Sequence, residues 1–355
     1  MLGNELFAID GCKMSSNAAK EWSGTFKELQ EKRDKLKRQI SYHMNEHEKL
    51  DNNEEADEAR KQRTIQAIET LNKAHDKIEK FLNEKEPRLG KGKRPQEVKS
   101  NITDNESGKM TTSKGTIQGY NGVATVDKKH QIIVDATVFG EGVEHHTLKP
   151  ILEGIQVRFK RLAISDDILK AQIIITADTG FANEKNMQYL HDNDINAYIP
   201  ASEFSFDPMT NSCLCPSGES LSFRGAREND LGIKIVYFEG RLLQCRNCDK
   251  KQQCMHNPKA ADHRKGNGRQ VSFTLNETRA PTYTDWMKHR VDSSKGKQIY
   301  SHRMSVVEPV FGNIGTNKKL KRFSLRGKDK VQGQWHLFCL IHNLEKLNNY
   351  GQLAA

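Results

Sequence analysis

The spacing of apolar residues along this 355-residue chain changes several times, and each change marks an element. Residues 6 to 11 are a near-continuous apolar run closed by Asp10 and Gly11, the pattern of a short buried strand. From about Ala18 to Leu82 the spacing becomes helical. Trp22, Phe26, Leu29, Leu36 and Ile40, then Ile65, Ile68, Leu71, Ile78 and Phe81, recur at three, four and seven. The polar stretch "LDNNEE" interrupts them around residue 52, which predicts two antiparallel helices packed on each other. Residues 87 to 113 have almost no apolar side chains and read as a loop or linker. Two β-branched runs, "IQGYNGVATVD" and "QIIVDATVFG", follow at hairpin spacing across "KKH". A helix in "HHTLKPILEGIQVRFKRLAI" leads to "AQIIITADTGF", a second buried strand ending in Asp178 and Gly180. A helix near 183 to 192 and the short strand "NAYIPA" come next. In the tail, Trp335, Leu337, Leu340, Leu344 and Leu347 predict a core helix, with His342 as a satisfied core or surface histidine.

The length suits two or three domains with a large core. A composition of 35% hydrophobic and 29% charged residues, with mean hydropathy -0.78, adds that parts of the chain are strongly solvated. No apolar run approaches the roughly 18 residues that span a bilayer, and the N-terminus lacks a signal-peptide layout, so no membrane partner and a cytoplasmic, bacterial setting are expected. A net charge of +10 favours a polyanionic partner, nucleic acid first among them. Seven cysteines, five of them between 213 and 254, look like a metal cluster plus two core thiols, Cys12 and Cys339, rather than a disulfide framework.

Asp10 and Asp178 each close a buried strand, and ligands of open α/β sheets bind at the carboxyl ends of such strands. An acid before a glycine is also a common turn device, so neither residue is decisive alone. A third acid, Glu308, lies in "YSHRMSVVEPVFGNIG" among Val306, Val307, Val310 and Phe311. Ser305 and Glu308 have the spacing of a capping box and Pro309 suits a first helical turn, so Glu308 taken singly reads as a cap.

Taken together, "FAIDGCKMSSNAAKEWSGT", "IQGYNGVATVD", "ITADTGF" and "YSHRMSVVEPVFGNIG" with the downstream "RFSLRGKDKV" resemble bacterial insertion-sequence transposases of the DDE class, those with a cysteine-bearing insert before the last acid. The resemblance covers nearly the whole chain. It implies an α/β fold, a ribonuclease H-like mixed sheet flanked by helices, with a helical-hairpin insertion and a small zinc-ribbon-like insertion. Residues 1–17 and 114–202 would form the first part of the catalytic core, 18–90 the hairpin, 91–113 a linker, 203–290 the cysteine-rich insertion and 291–355 the C-terminal helices of the core.

The acids so implied are Asp10, Asp178 and Glu308, holding two Mg²⁺ or Mn²⁺ ions with Asp10 as the bridging ligand. Elementary chemistry agrees. Clustered carboxylates repel one another unless cations neutralise them, and in-line attack on phosphorus builds charge on two oxygens that paired metals stabilise. Relatives carry Tyr, Arg, Glu and Lys around the third acid. Tyr300, Arg303 and Glu308 match, whereas Gly315 stands where Lys is usual. Lys318, Lys319, Lys321, Arg322 and Arg326 follow and, with Tyr300 and Arg303, are candidates for DNA contacts. Resembling proteins have an N-terminal DNA-binding region upstream of the first acid, and this chain starts nine residues before it, so a truncated transposase is expected.

Between the second and third acids lie "CLCPSGE" and "CRNCDKKQQC". Cys245 and Cys248 have the C-x₂-C spacing of a zinc site, Cys254 follows, and the fourth ligand is Cys213, Cys215 or His256. Cys215 is preferred because "PSG" after it supplies a knuckle turn. Such a zinc is structural, since four thiolates leave no position for substrate. Two functions are expected from this sequence. One is a metal-dependent DNA transposase, a homodimer on DNA, that cleaves at insertion-sequence ends and joins the 3′-hydroxyl to target DNA. The other is a truncated, non-catalytic remnant that binds DNA through its basic surface and zinc insert.

Overall fold

The structure is a computed structural model that describes residues 2–52, 58–91, 95–112, 115–165, 167, 173–201, 204–229, 232–249, 251–255, 257–275 and 282–351. Contacts divide the chain into two units. Met1–Asn4, Ile9–Glu144 and Ser305–Ala355 form the first, and Glu5–Ala8 with His145–Met304 form the second. Both contain helices and strands, as an α/β chain should. Among the described residues no helix is long and apolar enough to cross a membrane.

The predicted helical hairpin belongs to the first unit, as Phe26–Asp51 and Glu58–Glu84. Thr25 starts it with a capping box: its hydroxyl accepts the Glu28 N–H, and the Glu28 carboxylate accepts the Thr25 N–H at 2.8 Å. Phe26 at one end meets Phe81 near the other, with ring centroids 5.9 Å apart, so the helices run antiparallel. Leu29, Ile78 and Phe81 are buried between them, with Trp22 and Ile102 packed alongside.

The sheet of this unit is built on Gly115–Asp127, whose first residues pair antiparallel with Gly108–Thr112 and whose later ones pair with Ile133–Phe139. Its other neighbour is the later part of the opening strand, Leu6–Ser15. The expected hairpin is therefore present, and the expected linker is not. Within 95–112, Ser100, Asn101, Asp104, Ser107 and Met110 are all buried. Polar bonds hold this stretch where apolar contacts are few. Asn101 donates to Ala19 O and Ser23 Oγ and accepts from Thr103 and Asp104, while the Asp104 carboxylate accepts the Tyr120 hydroxyl at 2.8 Å.

The tail helix, Lys328–Tyr350, buries a different face from the expected one. Its buried face is Val331, Trp335, Cys339 and His342, whereas Leu337, Leu340, Leu344 and Leu347 stand 39% to 54% exposed. Trp335 and Leu337 are two positions apart, on opposite sides of a helix, so the expected stripe could not be one face. The helix is held largely by polar side chains on the free edge of Ile133–Phe139. Gln332 accepts from Val138 N and donates to Ala136 O, and Asn343 accepts from Ile133 N and donates to Ile133 O. An edge strand is thereby closed to further pairing.

In the second unit, Glu5 O accepts from Ile174 N at 2.9 Å, and Ile174–Ala177 pairs in parallel with Ala197–Tyr198. Helices Leu148–Arg161 and Glu184–Asp192 match those predicted. The cysteine-bearing stretch folds as a five-stranded antiparallel sheet of Ser205–Asp207, Ser212–Leu214, Ser220–Glu228, Lys234–Glu239 and Gln270–Leu275, each paired with the next in sequence. Two short helices, Leu242–Arg246 and Lys251–Cys254, lie between its last two strands.

Candidate functional site

Asp10 does not close its strand. Leu6–Ser15 continues five residues beyond it, leaving Asp10 half-buried within the strand, its Oδ1 accepting the Gly11 N–H at 2.8 Å. Gly11 is not a turn residue either. A Cβ there would collide with Glu144 Oε1 and come within 2.8 Å of the Asn121 amide, which itself donates to Glu144 Oε1 at 2.9 Å. The glycine following the first acid is a space requirement, set by residues far away in sequence. Cys12, the next residue on, has its thiol pushed up by burial and by the Asp10 charge.

Asp178 lies where expected, directly after Ile174–Ala177. It is half-buried and caps the turn Thr179–Phe181, Oδ1 accepting Gly180 N at 2.9 Å. His145, which sequence reasoning passed over, is close enough to feel its charge. Burial and His146 lower the His145 pKa, while Asp178 acts in the opposite sense. The "HH" pair before a predicted helix was the available signal.

Glu308 is exposed on the helix Ser294–Gly312, well inside it, so the capping-box explanation falls. Pro309 is inside the helix too. A proline has no N–H to donate to the carbonyl four residues before it, and Gln131 Nε2 donates to the Ser305 oxygen at 3.2 Å. Beyond Gly312 the chain winds through a π-helical turn, Asn313–Asn317, a feature often found at functional sites. Asp10 and Glu308 fall in the first unit and Asp178 in the second.

The basic candidates divide. Lys319, Lys321 and Arg322 are exposed. Lys318 is 14% exposed and paired with Glu345 at 2.7 Å, which helps hold the Glu345 carboxyl at about 2. Arg326 is exposed but donates to Asn17 O, Tyr300 is half-buried, and Arg303 is buried at 4% exposure. The Gly315 position is open, with no heavy atom within 4 Å of a Cβ placed there.

Four cysteines meet in the second unit. Cys215, Cys245, Cys248 and Cys254 line one cavity of about 40 Å³ together with Leu221 and Gly240. On the same measure a single water needs roughly 10–15 Å³, so the space admits an ion. Cys215 opens a tight turn in which Gly218 N donates to Cys215 O and Cys215 N to Glu219 O, both at 2.8 Å, with Gly218 at φ 79°. Arg269 N–H donates to Cys245 Sγ at 3.3 Å, and Ser217 Oγ lies 3.3 Å from Cys248 Sγ. A Cβ at Gly240 would sit 2.7 Å from Cys245 Sγ, so this sulfur occupies a cradle that only glycine leaves open. Cys213 is elsewhere, fully buried among Leu221, Val236 and Phe238, where burial pushes its thiol up to about 11. His256 lies outside the described residues. The thiols surround the cavity loosely. Among the described residues, the one set of three metal-capable groups with ligand atoms mutually within 4.8 Å is His75, Asp76 and Glu79, on the surface of the hairpin.

Residues 214–348 match the profile of a family described as a transposase DDE domain. A search of curated proteins gave no match. The matched stretch holds Glu308 and the four cavity cysteines, and it begins after Asp10 and Asp178. Over it the chain is similar to DDE transposases, nucleic-acid-cutting enzymes that bind DNA and use divalent metal ions.

Proposed function

We propose that the protein is a metal-dependent DNA transposase whose Asp10, Asp178 and Glu308 act as one set, cleaving at insertion-sequence ends and joining the 3′-hydroxyl to target DNA as a homodimer. The observation that carries this is the family match around Glu308, a solvent-exposed acid inside a helix with no capping role. Hard carboxylate oxygens suit Mg²⁺ or Mn²⁺, and such ions, when bound, neutralise charge on the entering and leaving oxygens. The chain's own share is to hold the carboxylates. The bond from Gly11 N–H fixes the Asp10 oxygen, and the bond from Gly180 N–H fixes that of Asp178.

Incubation of the protein with insertion-sequence end DNA tests this. Nicking or strand transfer should appear with Mg²⁺ or Mn²⁺, stop on chelation, and fall to background in Asp10→Asn, Asp178→Asn and Glu308→Gln. DNA retardation that persists without any metal-dependent cleavage would instead support the non-catalytic remnant.

The same reading includes one structural zinc ion on Cys215, Cys245, Cys248 and Cys254. Four cysteines line one cavity of about 40 Å³, hydrogen bonds from Arg269 N–H and Ser217 are available to two of them, and a tetrahedral ion would draw these loosely placed sulfurs together. Protein purified without zinc yet fully folded would overturn it.

A further inference from the structure

The exposed loop "DHRKGNGR", residues 262 to 269, is fastened to the cysteine cavity at both ends. At its start, Arg246, the residue after Cys245, donates from Nε to Ala261 O at 2.8 Å and from Nη2 to His263 O at 3.1 Å. Lys251, three residues after Cys248, pairs with Asp262 at 2.5 Å. At its end, the Arg269 N–H is bonded to Cys245 Sγ at 3.3 Å. Two glycines let the backbone pass closely. A Cβ at Gly266 would collide with Ala260 O, and one at Gly268 would collide with Gly240 O and lie 3.3 Å from Cys245 Sγ.

What the loop presents outward is positive. His263, Arg264, Lys265 and Asn267 are exposed, and among the described residues Arg264 and Lys265 have no ion-pair partner. Its one acid, Asp262, is already neutralised by Lys251. Over residues 241 to 269 the chain carries eight Arg and Lys against two Asp, a denser excess than the +10 of the whole 355 residues. The side-chain and sulfur bonds that fix this loop involve a cavity cysteine or a residue close to one in sequence, and Gly240 N donates to Arg269 O at 2.8 Å beside them.

We propose that this loop is a contact surface for the phosphate backbone of DNA, and that the metal on Cys215, Cys245, Cys248 and Cys254 holds it in shape. This rests on the zinc reading above. Guanidinium and ammonium groups pair with phosphate oxygens, and unpaired ones on a rigid loop lose little freedom in doing so. Contacts of this kind to the phosphate backbone position DNA without selecting sequence. Release of the metal loosens Cys245, and with it both the Arg246 and Arg269 fastenings.

The experiment measures binding of the full chain to a random-sequence duplex across salt concentrations, alongside zinc content by elemental analysis, for the unmodified protein, R264E/K265E, R264A/K265A and C248S. The unmodified protein should hold about one zinc per chain. Both loop double variants should keep it, bind more weakly, and show a log K against log salt slope flattened by about one to two units. C248S should lose zinc, show the same flattening, and become cleavable by trypsin at Arg264 and Lys265. Loop variants that keep zinc with an unchanged slope overturn the DNA contact and leave the zinc site standing. An unmodified protein without zinc overturns the zinc reading itself, and zinc-free C248S with an unchanged slope overturns the dependence of the loop on metal.

Discussion

At the scale of single residues, the glycine after the first acid shows how a conformational rule can mislead. Asp-Gly in a short apolar run suggests a turn, yet Gly11 sits in continuous strand, and what excludes a side chain is the Glu144 carboxylate with the Asn121 amide beneath it. Gly11→Ala should therefore cost about 1–3 kcal/mol in urea unfolding, the usual range for an overpacked site. Glu144→Ala in the same chain should recover part of that cost, because the two changes share one contact. Additive effects of the two would mean that Glu144 is not the obstacle. The four cavity cysteines, in contrast, were legible in the sequence. C-x₂-C spacing and the Cys-Pro-Ser-Gly turn are local patterns, and it is Cys215 that lines the cavity while Cys213 packs in a core cluster. The partners of Gly11 lie 110 and 133 residues away and leave no trace beside it.

At the scale of elements, helices and buried strands were legible where apolar spacing created them, as in the hairpin, the strand before Asp178 and the helix after it. The stretch from 95 to 112 was not, because Asn101, Asp104 and Ser107 hold it by hydrogen bonds rather than by apolar burial. The tail helix was legible as a helix and misread in its orientation, since glutamine, histidine and asparagine make its contacts with the neighbouring strand. His342 belongs to those contacts. It is fully buried, its Nδ1 lies 2.9 Å from the Asn313 amide and its Nε2 2.9 Å from Gln131 O. A neutral ring with the proton on Nε2 satisfies both. Burial lowers its pKa, with Lys346 and Lys318 acting in the same sense and the Gln131 carbonyl and Glu345 opposing. The unfolded chain thus binds more protons than the folded one just below the ordinary histidine value of about 6.5. Stability from this contact is complete above that value and lost as pH falls, by up to about 1.4 kcal/mol per pH unit. Urea midpoints should drop between pH 7 and pH 5, and His342→Gln, which keeps a donor and an acceptor, should drop less. An identical pH dependence in that variant would remove His342 as its source.

At the scale of the whole molecule, a charge of +10 states that a polyanion is a plausible partner and does not say where it binds. Ion pairing narrows the choice. Lys318 is prominent in the sequence, but its side chain is 14% exposed and its ammonium is held by Glu345, and Asn313 donates to the same carboxylate at 2.8 Å. Lys319, Lys321 and Arg322 have exposed side chains without an ion pair among the described residues. Lys318→Glu should therefore lower the unfolding midpoint by placing two carboxylates together, while leaving the salt dependence of duplex binding nearly unchanged. Lys319→Glu with Arg322→Glu should do the reverse, keeping stability and flattening the log-log slope by about one to two units. Where the Lys319 and Arg322 reversal and the Arg264 and Lys265 reversal remove separate phosphate contacts, their effects on the slope should add. A steeper loss from Lys318→Glu than from the Lys319 and Arg322 pair would show that the Glu345 ion pair opens when DNA binds.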